Sequence, residues 1–186
     1  MRKILFQNLL RPPVTIEAPA PSQEALAELA AKLDQAARQR LGRSLALREV
    51  DAGSCNGCEL EIHALNNACY DLERFGIRFV ASPRHADVLL VTGPVTTNMR
   101  EALVRTYHAT PDPKWVVAVG DCALNGGVFQ GSYACVGGVS EVVPVDLHIR
   151  GCPPSPMQLL GGLLALLQVA SLPMSHSLIR HQKWYW

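Results

Sequence analysis

The sequence predicts an α/β fold, a parallel sheet flanked by helices, and three observations carry that expectation. Short apolar runs, the clearest being the valine-rich Lys114–Val119, alternate with stretches of helical periodicity. Neither an internal repeat nor a low-complexity tract interrupts that alternation, which is the pattern of strands joined by crossover helices. Four cysteines fall just after expected strands, where the carboxyl ends of an open α/β sheet form a ligand crevice.

Each element follows in order. Residues 1–11 form an apolar-basic arm, suited to a surface anchor or to docking on a partner. Pro12, Pro13, Pro19 and Pro21 favour an extended linker up to residue 21. An amphipathic helix is expected over 22–43: Ser22 suits its cap, Leu26, Leu29, Leu33 and Leu41 recur at helical spacing, and Gly42 suits its end. The α/β domain spans 44–172. Within it Ser44–Val50 reads as a strand, Glu59–Arg74 as a helix stopped by Gly76, and Ile77–Ala81 and Asp87–Val91 as strands. Met99–His108 reads as a helix, and Lys114–Val119 and Glu141–Val145 as strands. Ser155 followed by Pro156 signals the start of the last long helix. The tail, 173–186, ends in Trp184-Tyr185-Trp186, an aromatic end suited to a partner surface.

Composition narrows the function. With 186 residues, 48% hydrophobic and 18% charged, the chain is long and apolar enough for one substantial core. A net charge of +1 and no basic patch with interleaved aromatics argue against nucleic acid. Gln7, Asn8 and Arg11 cut the first apolar stretch below the roughly 7–15 residues of a secretion signal. Leu159–Leu167 is far short of the roughly 20 residues of a membrane span. The cytoplasm is the expected compartment. No phosphate loop, dinucleotide fingerprint, zinc-protease helix or serine elbow appears, so the chain is expected to hold a cofactor without a substrate pocket of its own.

The chemistry lies in Cys55, Cys58, Cys122 and Cys152, spaced C-x2-C-x63-C-x29-C. Thiolates from three separated loops suit an iron–sulfur cluster or a soft tetrahedral metal site. Structural zinc usually takes two close pairs, and only one is present here. Spacing alone leaves an iron–sulfur cluster, zinc, and buried or redox thiols as readings. Cys69 is expected in mid-helix as a small buried apolar group, and Cys135 is a rival ligand close to Cys122. Glu59 and Glu61 are either acids opposing a helix dipole or members of a proton relay. His63, His85, His148 and Arg84 are weaker candidates, each better read as a surface or satisfied polar residue.

The joint order of several stretches is more specific. These are Ser54-Cys55-Asn56-Gly57-Cys58-Glu59, Ser82-Pro83-Arg84-His85-Ala86-Asp87-Val88-Leu89, Gly93-Pro94-Val95-Thr96, Gly120-Asp121-Cys122 and Gly151-Cys152-Pro153-Pro154-Ser155-Pro156. Over roughly residues 44–170 the chain resembles the small, cluster-bearing subunit shared by membrane-bound (group 4) [NiFe] hydrogenases and respiratory complex I. The resemblance implies a flavodoxin-like sheet with one [4Fe-4S] cluster at the carboxyl ends of its strands, ligated by Cys55, Cys58, Cys122 and Cys152. It implies an electron relay rather than a catalytic subunit. The implied partners are a hydrogenase-like large subunit, a ferredoxin-like two-cluster subunit and membrane subunits, on the cytoplasmic side of the inner membrane. Complex I members carry adjacent cysteines in the first motif. Cys55-Asn56-Gly57-Cys58 is the hydrogenase form, and the resemblance is best to the formate hydrogenlyase or hydrogenase-4 type. Glu59 matches the family's acid after the first pair, which implies proton transfer. Asp121 departs from the small residue often found there; it either lowers the cluster potential by its charge or points away. A complex I-like NADH-quinone oxidoreductase component and a zinc-stabilised interaction module are the alternatives.

Overall fold

A computed structural model describes residues 23–169. The arm, the proline linker, the Ser22 cap and the aromatic tail expected above lie outside the described residues. The first described helix, α1 (Gln23–Leu41), buries Leu26, Ala30, Leu33 and Ala37, one stripe at helical spacing. That stripe packs against the last helix, α5 (Pro156–Val169). Ion pairs Lys32–Glu28 and Arg38–Asp34, each four residues apart, run along α1, the first exposed and the second ending on a half-buried Asp34.

Five parallel strands form the sheet: β1 (Ala46–Asp51), β2 (Arg78–Phe79), β3 (Val88–Thr92), β5 (Trp115–Val119) and β7 (Leu147–Ile149). Their order is β2-β1-β3-β5-β7, the flavodoxin-like arrangement in which the chain leaves β1 to one side and returns to the other. Both faces are covered, so β3 and β5 are buried at every position and read as continuous apolar runs. Successive residues serve opposite faces. Val88, Leu90, Val117 and Val119 pack with α1 and α5, and Leu89, Val91, Val116 and Ala118 pack with Leu103 of α3 (Thr97–Ala109). Each leucine buried in this way contributes roughly 1.5–3 kcal/mol. A two-residue strand, β4 (Val95–Thr96), pairs antiparallel with β6 (Cys135–Gly137) beside the main sheet. Two short helices complete the set, α2 (Gly57–Ala64) and α4 (Asp121–Asn125).

At the amino ends of the strands two carboxylates are paired. Asp87, almost fully buried, accepts from both terminal nitrogens of Arg43, at 3.0 and 2.5 Å, and from the Ala46 amide at 2.9 Å. This ties the end of the α1 connection to the start of β3. Asp146 accepts from the Val116 amide at 2.8 Å, and its own amide donates to the Val116 carbonyl. Burial raises the Asp146 carboxyl above its ordinary range, against that amide donor. Ser155 and Gln158 form a reciprocal cap at the start of α5: Gln158 Oε1 accepts from the Ser155 amide, and Ser155 Oγ from the Gln158 amide.

Several expected elements differ. The helix expected over Glu59–Arg74 ends at Ala64, because Asn67 Oδ1 accepts from the Cys69 and Tyr70 amides and turns the chain. Asp71 then adopts φ 44° and a short 3₁₀ turn, Leu72–Phe75, follows. Cys69 is therefore exposed in a turn rather than buried in a helix. The strand expected over Glu141–Val145 lies later, at Leu147–Ile149; Pro144 lacks the amide a sheet ladder needs. The strand expected over Ile77–Ala81 contracts to two residues.

Candidate cofactor site

Three loops meet at the carboxyl ends of the sheet. The first leaves β1, where Asp51 Oδ1 accepts from the Gly53 and Ser54 amides, each at 2.8 Å, and folds the chain into Cys55. Asn56 takes a left-handed φ of 71° and α2 starts at once, carrying Cys58 in its first turn. The second loop leaves β5 through Gly120-Asp121-Cys122, and the third leaves β7 through Gly151-Cys152.

Close approaches tie these loops together. A Cβ on Gly120 would stand 2.6 Å from Cys58 Sγ, so the thiol of the first loop lies against the end of β5. A Cβ on Gly57 would lie 3.5 Å from Cys55 Sγ and 3.9 Å from Pro153 Cβ, which puts the third loop beside the first pair. After Cys122 the chain folds back through Gly126 and Gly127, with φ 92° and 51°, and a Cβ on Gly127 would stand 2.7 Å from Cys122 Sγ. Only glycine accepts both that conformation and that approach. The fold-back aims the Val128 amide at the Cys122 sulfur.

Electrostatics shows the same convergence. Burial, with Glu59 and the thiols of Cys122, Cys55 and Cys152, pushes the Cys58 thiol up to about 12. Burial also raises Cys122, with Cys152, Cys55 and Asp121 adding to the shift and the Val128 amide opposing it. All four cysteines are free thiols; Cys122 is buried, Cys58 half-buried, and Cys55 and Cys152 exposed. The set thus has a buried floor and an open rim. A set of thiols suits a soft cation, which binds sulfur in place of a proton. Among the described residues no three Cys, His, Asp or Glu side chains come close enough to hold one metal ion.

Glu59 follows Cys58 and is buried, with neither carboxylate oxygen receiving a hydrogen bond among the described residues. Its charge reaches Glu49 on β1, whose carboxyl burial raises and whose Oε2 stands 3.5 Å from His63 Nε2. Glu49 and His63 line a cleft of about 250 Å³ with Ile62, Asn66 and Phe79. Nothing in the sequence distinguishes Glu49 from an ordinary strand acid. The Val128 amide is equally silent there, although the Gly126-Gly127 pair signals a turn beside it. Arg84 and His85 are exposed in a 3₁₀ turn capped by Ser82, and His148 is buried within β7. Cys135 is half-buried in β6, opposite Thr96. Leu60, Val128, Phe129 and Tyr133 are exposed, next to Cys58 and along the chain after Cys122.

The sequence matches the family described as NADH ubiquinone oxidoreductase, 20 Kd subunit, over residues 55–166. It is 43% identical to formate hydrogenlyase subunit 7 of Escherichia coli over 87% of this chain, spanning 63% of that relative's length. It is 47% identical to the probable membrane-bound hydrogenase subunit mbhJ of Pyrococcus furiosus, over 69% of this chain and 77% of that one. With an NADH-quinone oxidoreductase subunit of Citrifermentans bemidjiense it shares 50% identity over 59% of this chain and 64% of that one. Among solved structures, a chain of the membrane-bound sulfane sulfur reductase, an archaeal respiratory membrane complex, superposes with a TM-score of 0.61. The identity is 36%, and 75% of each chain is covered.

Proposed function

The chain belongs to the NADH ubiquinone oxidoreductase, 20 Kd subunit family, and from that premise we propose that it is the electron-transfer subunit of a membrane-bound [NiFe] hydrogenase complex of the formate hydrogenlyase or hydrogenase-4 type. Cys55, Cys58, Cys122 and Cys152 hold one [4Fe-4S] cluster beside the active site of a large subunit. The observation that carries this reading is the meeting of four free thiols from three strand ends, two of them coupled electrostatically to the rest. A bound cluster supplies one-electron chemistry, relayed between a donor and the partner's active site. The chain's own residues set the conditions. The Val128 amide stabilises the Cys122 thiolate, and the buried floor excludes water from one side.

Glu59 is the chain's own proton-transfer residue in this reading. A buried carboxyl group without a hydrogen-bond partner costs stability, and this one directly follows Cys58 in the chain. The exposed apolar side chains of Leu60, Val128, Phe129 and Tyr133, close in sequence to Cys58 and Cys122, suit the large subunit's surface. Electrons arrive from a ferredoxin-like two-cluster subunit. Among the described residues no helix is long and apolar enough to cross a membrane. In this reading the chain attaches through membrane subunits on the cytoplasmic side.

The second reading, a component of a complex I-like quinone oxidoreductase, draws on the 50% identity to the NADH-quinone oxidoreductase relative. The Cys55-Asn56-Gly57-Cys58 spacing favours the hydrogenase form. The test is anaerobic purification of the complex with iron, sulfide and nickel analysis and EPR after dithionite reduction. About four iron and four sulfide held by this chain, the content of one cubane, together with nickel in the large subunit, are expected. A chain with zinc and no iron would overturn the relay, and iron without nickel would select quinone chemistry.

A further inference from the structure

The ladder between β5 and β7 does not stop where the strands do. The Gly120 amide donates to the Ile149 carbonyl at 2.7 Å, and the Asp121 amide then donates to the Gly151 carbonyl at 3.0 Å. The Asp121 side chain turns the pairing back on itself, because its Oδ1 accepts from the Gly151 amide at 3.2 Å. One residue therefore holds both backbone groups of Gly151. Asp121 stands immediately before Cys122, and Gly151 immediately before Cys152. Gly151 sits at φ 139°, and a Cβ there would meet Pro154 backbone atoms at 2.7 Å, so this partner is confined to glycine. An acid serving only the amino end of α4 would need neither contact across to the third loop.

We propose that Asp121 is a positioning residue for the cluster: its amide and carboxylate clamp Gly151, fix the distance between the Cys122 and Cys152 sulfurs, and hold a negative charge beside Cys122 that makes the cluster harder to reduce. The clamp joins the buried thiol of the site to an exposed one across the gap between two loops. The carboxylate adds a second tie at Gly151 to the backbone bond from the Asp121 amide. A carboxylate near a cluster disfavours the extra electron of the reduced state, as charge near a redox centre does. This inference rests on the reading that these cysteines hold a cluster.

The test compares D121N and D121A with the unmodified chain in the purified complex. It uses iron content, the rate of cluster loss to a chelator, an EPR-monitored redox titration, and amide hydrogen exchange over residues 147–152. In D121A exchange over 147–152 accelerates and the cluster is lost several-fold faster. Asparagine keeps an acceptor for the Gly151 amide, so D121N retains the cluster at the unmodified rate, with a midpoint potential moved to more positive values. Retention in D121A equal to the unmodified chain would overturn the clamp, as would D121N losing its cluster as fast as D121A. An unmoved potential in D121N would overturn the charge effect. An unmodified chain without iron would instead sink the cluster reading, and exchange over 147–152 would still decide the clamp.

Discussion

The two ends of the sheet are built on opposite principles. At the amino ends Asp87 is satisfied by Arg43 and the Ala46 amide, and Asp146 by Val116. At the carboxyl ends are four free thiols, a buried Glu59 without a partner, and glycines with positive φ at strand exits. Unsatisfied buried groups and left-handed backbone each cost stability. The amino edge is not free of such costs, since Asp34 Oδ1 is buried there without a partner and Gly76 has a positive φ, but the thiols and the partnerless Glu59 gather at the other edge. The core stabilises the fold and the opposite edge uses part of that stability.

Breaking each end should have different signatures. Cys122→Ser or Cys152→Ser removes a thiolate from the site, and the expected outcome is near-complete loss of iron with loosening of the fold, since cluster binding and folding are coupled. Iron analysis checks it, and unchanged iron would require a different ligand set. Glu59→Gln should leave iron and EPR signals intact while slowing turnover of the assembled complex by about 10²-fold, the lower range for a lost acid–base group. Full activity would return Glu59 to a helix-end role. Asp87→Ala at the other end should lower stability by about 2 kcal/mol, by leaving the Ala46 amide unpaired and Arg43 without its carboxylate. Denaturant melts would show that loss, with the cluster's midpoint potential unmoved. Cys69→Ala, in an exposed turn, should change neither iron content nor stability measurably; iron loss there would extend the site beyond the strand ends.

The parallel sheet was legible because strands buried on both faces are written as unbroken apolar runs, as at Val88–Thr92 and Trp115–Val119. The strand-end placement of Cys55, Cys58, Cys122 and Cys152 followed from the same alternation. What stayed hidden was decided by single polar contacts. Apolar spacing after Cys58 suggests a long helix, yet the Asn67 side chain captures two amides and ends it within two turns. Apolar residues around Pro144 suggest a strand, yet β7 forms only where every residue can donate. The β4–β6 pair is too short to leave a periodic trace. The Asp121–Gly151 clamp joins positions 30 residues apart, and no local pattern announces it.

The separation of the cysteines along the chain also has a meaning in time. Cys152 follows Cys55 by 97 residues. At synthesis rates of roughly 5–20 residues per second, the first pair is made about 5–20 seconds before the last thiol exists. During that interval Cys55 and Cys58 are a bare dithiol, exposed to oxidants and to stray zinc. With the proposed four ligands, loading waits for β7, and the nascent chain must stay reduced until then.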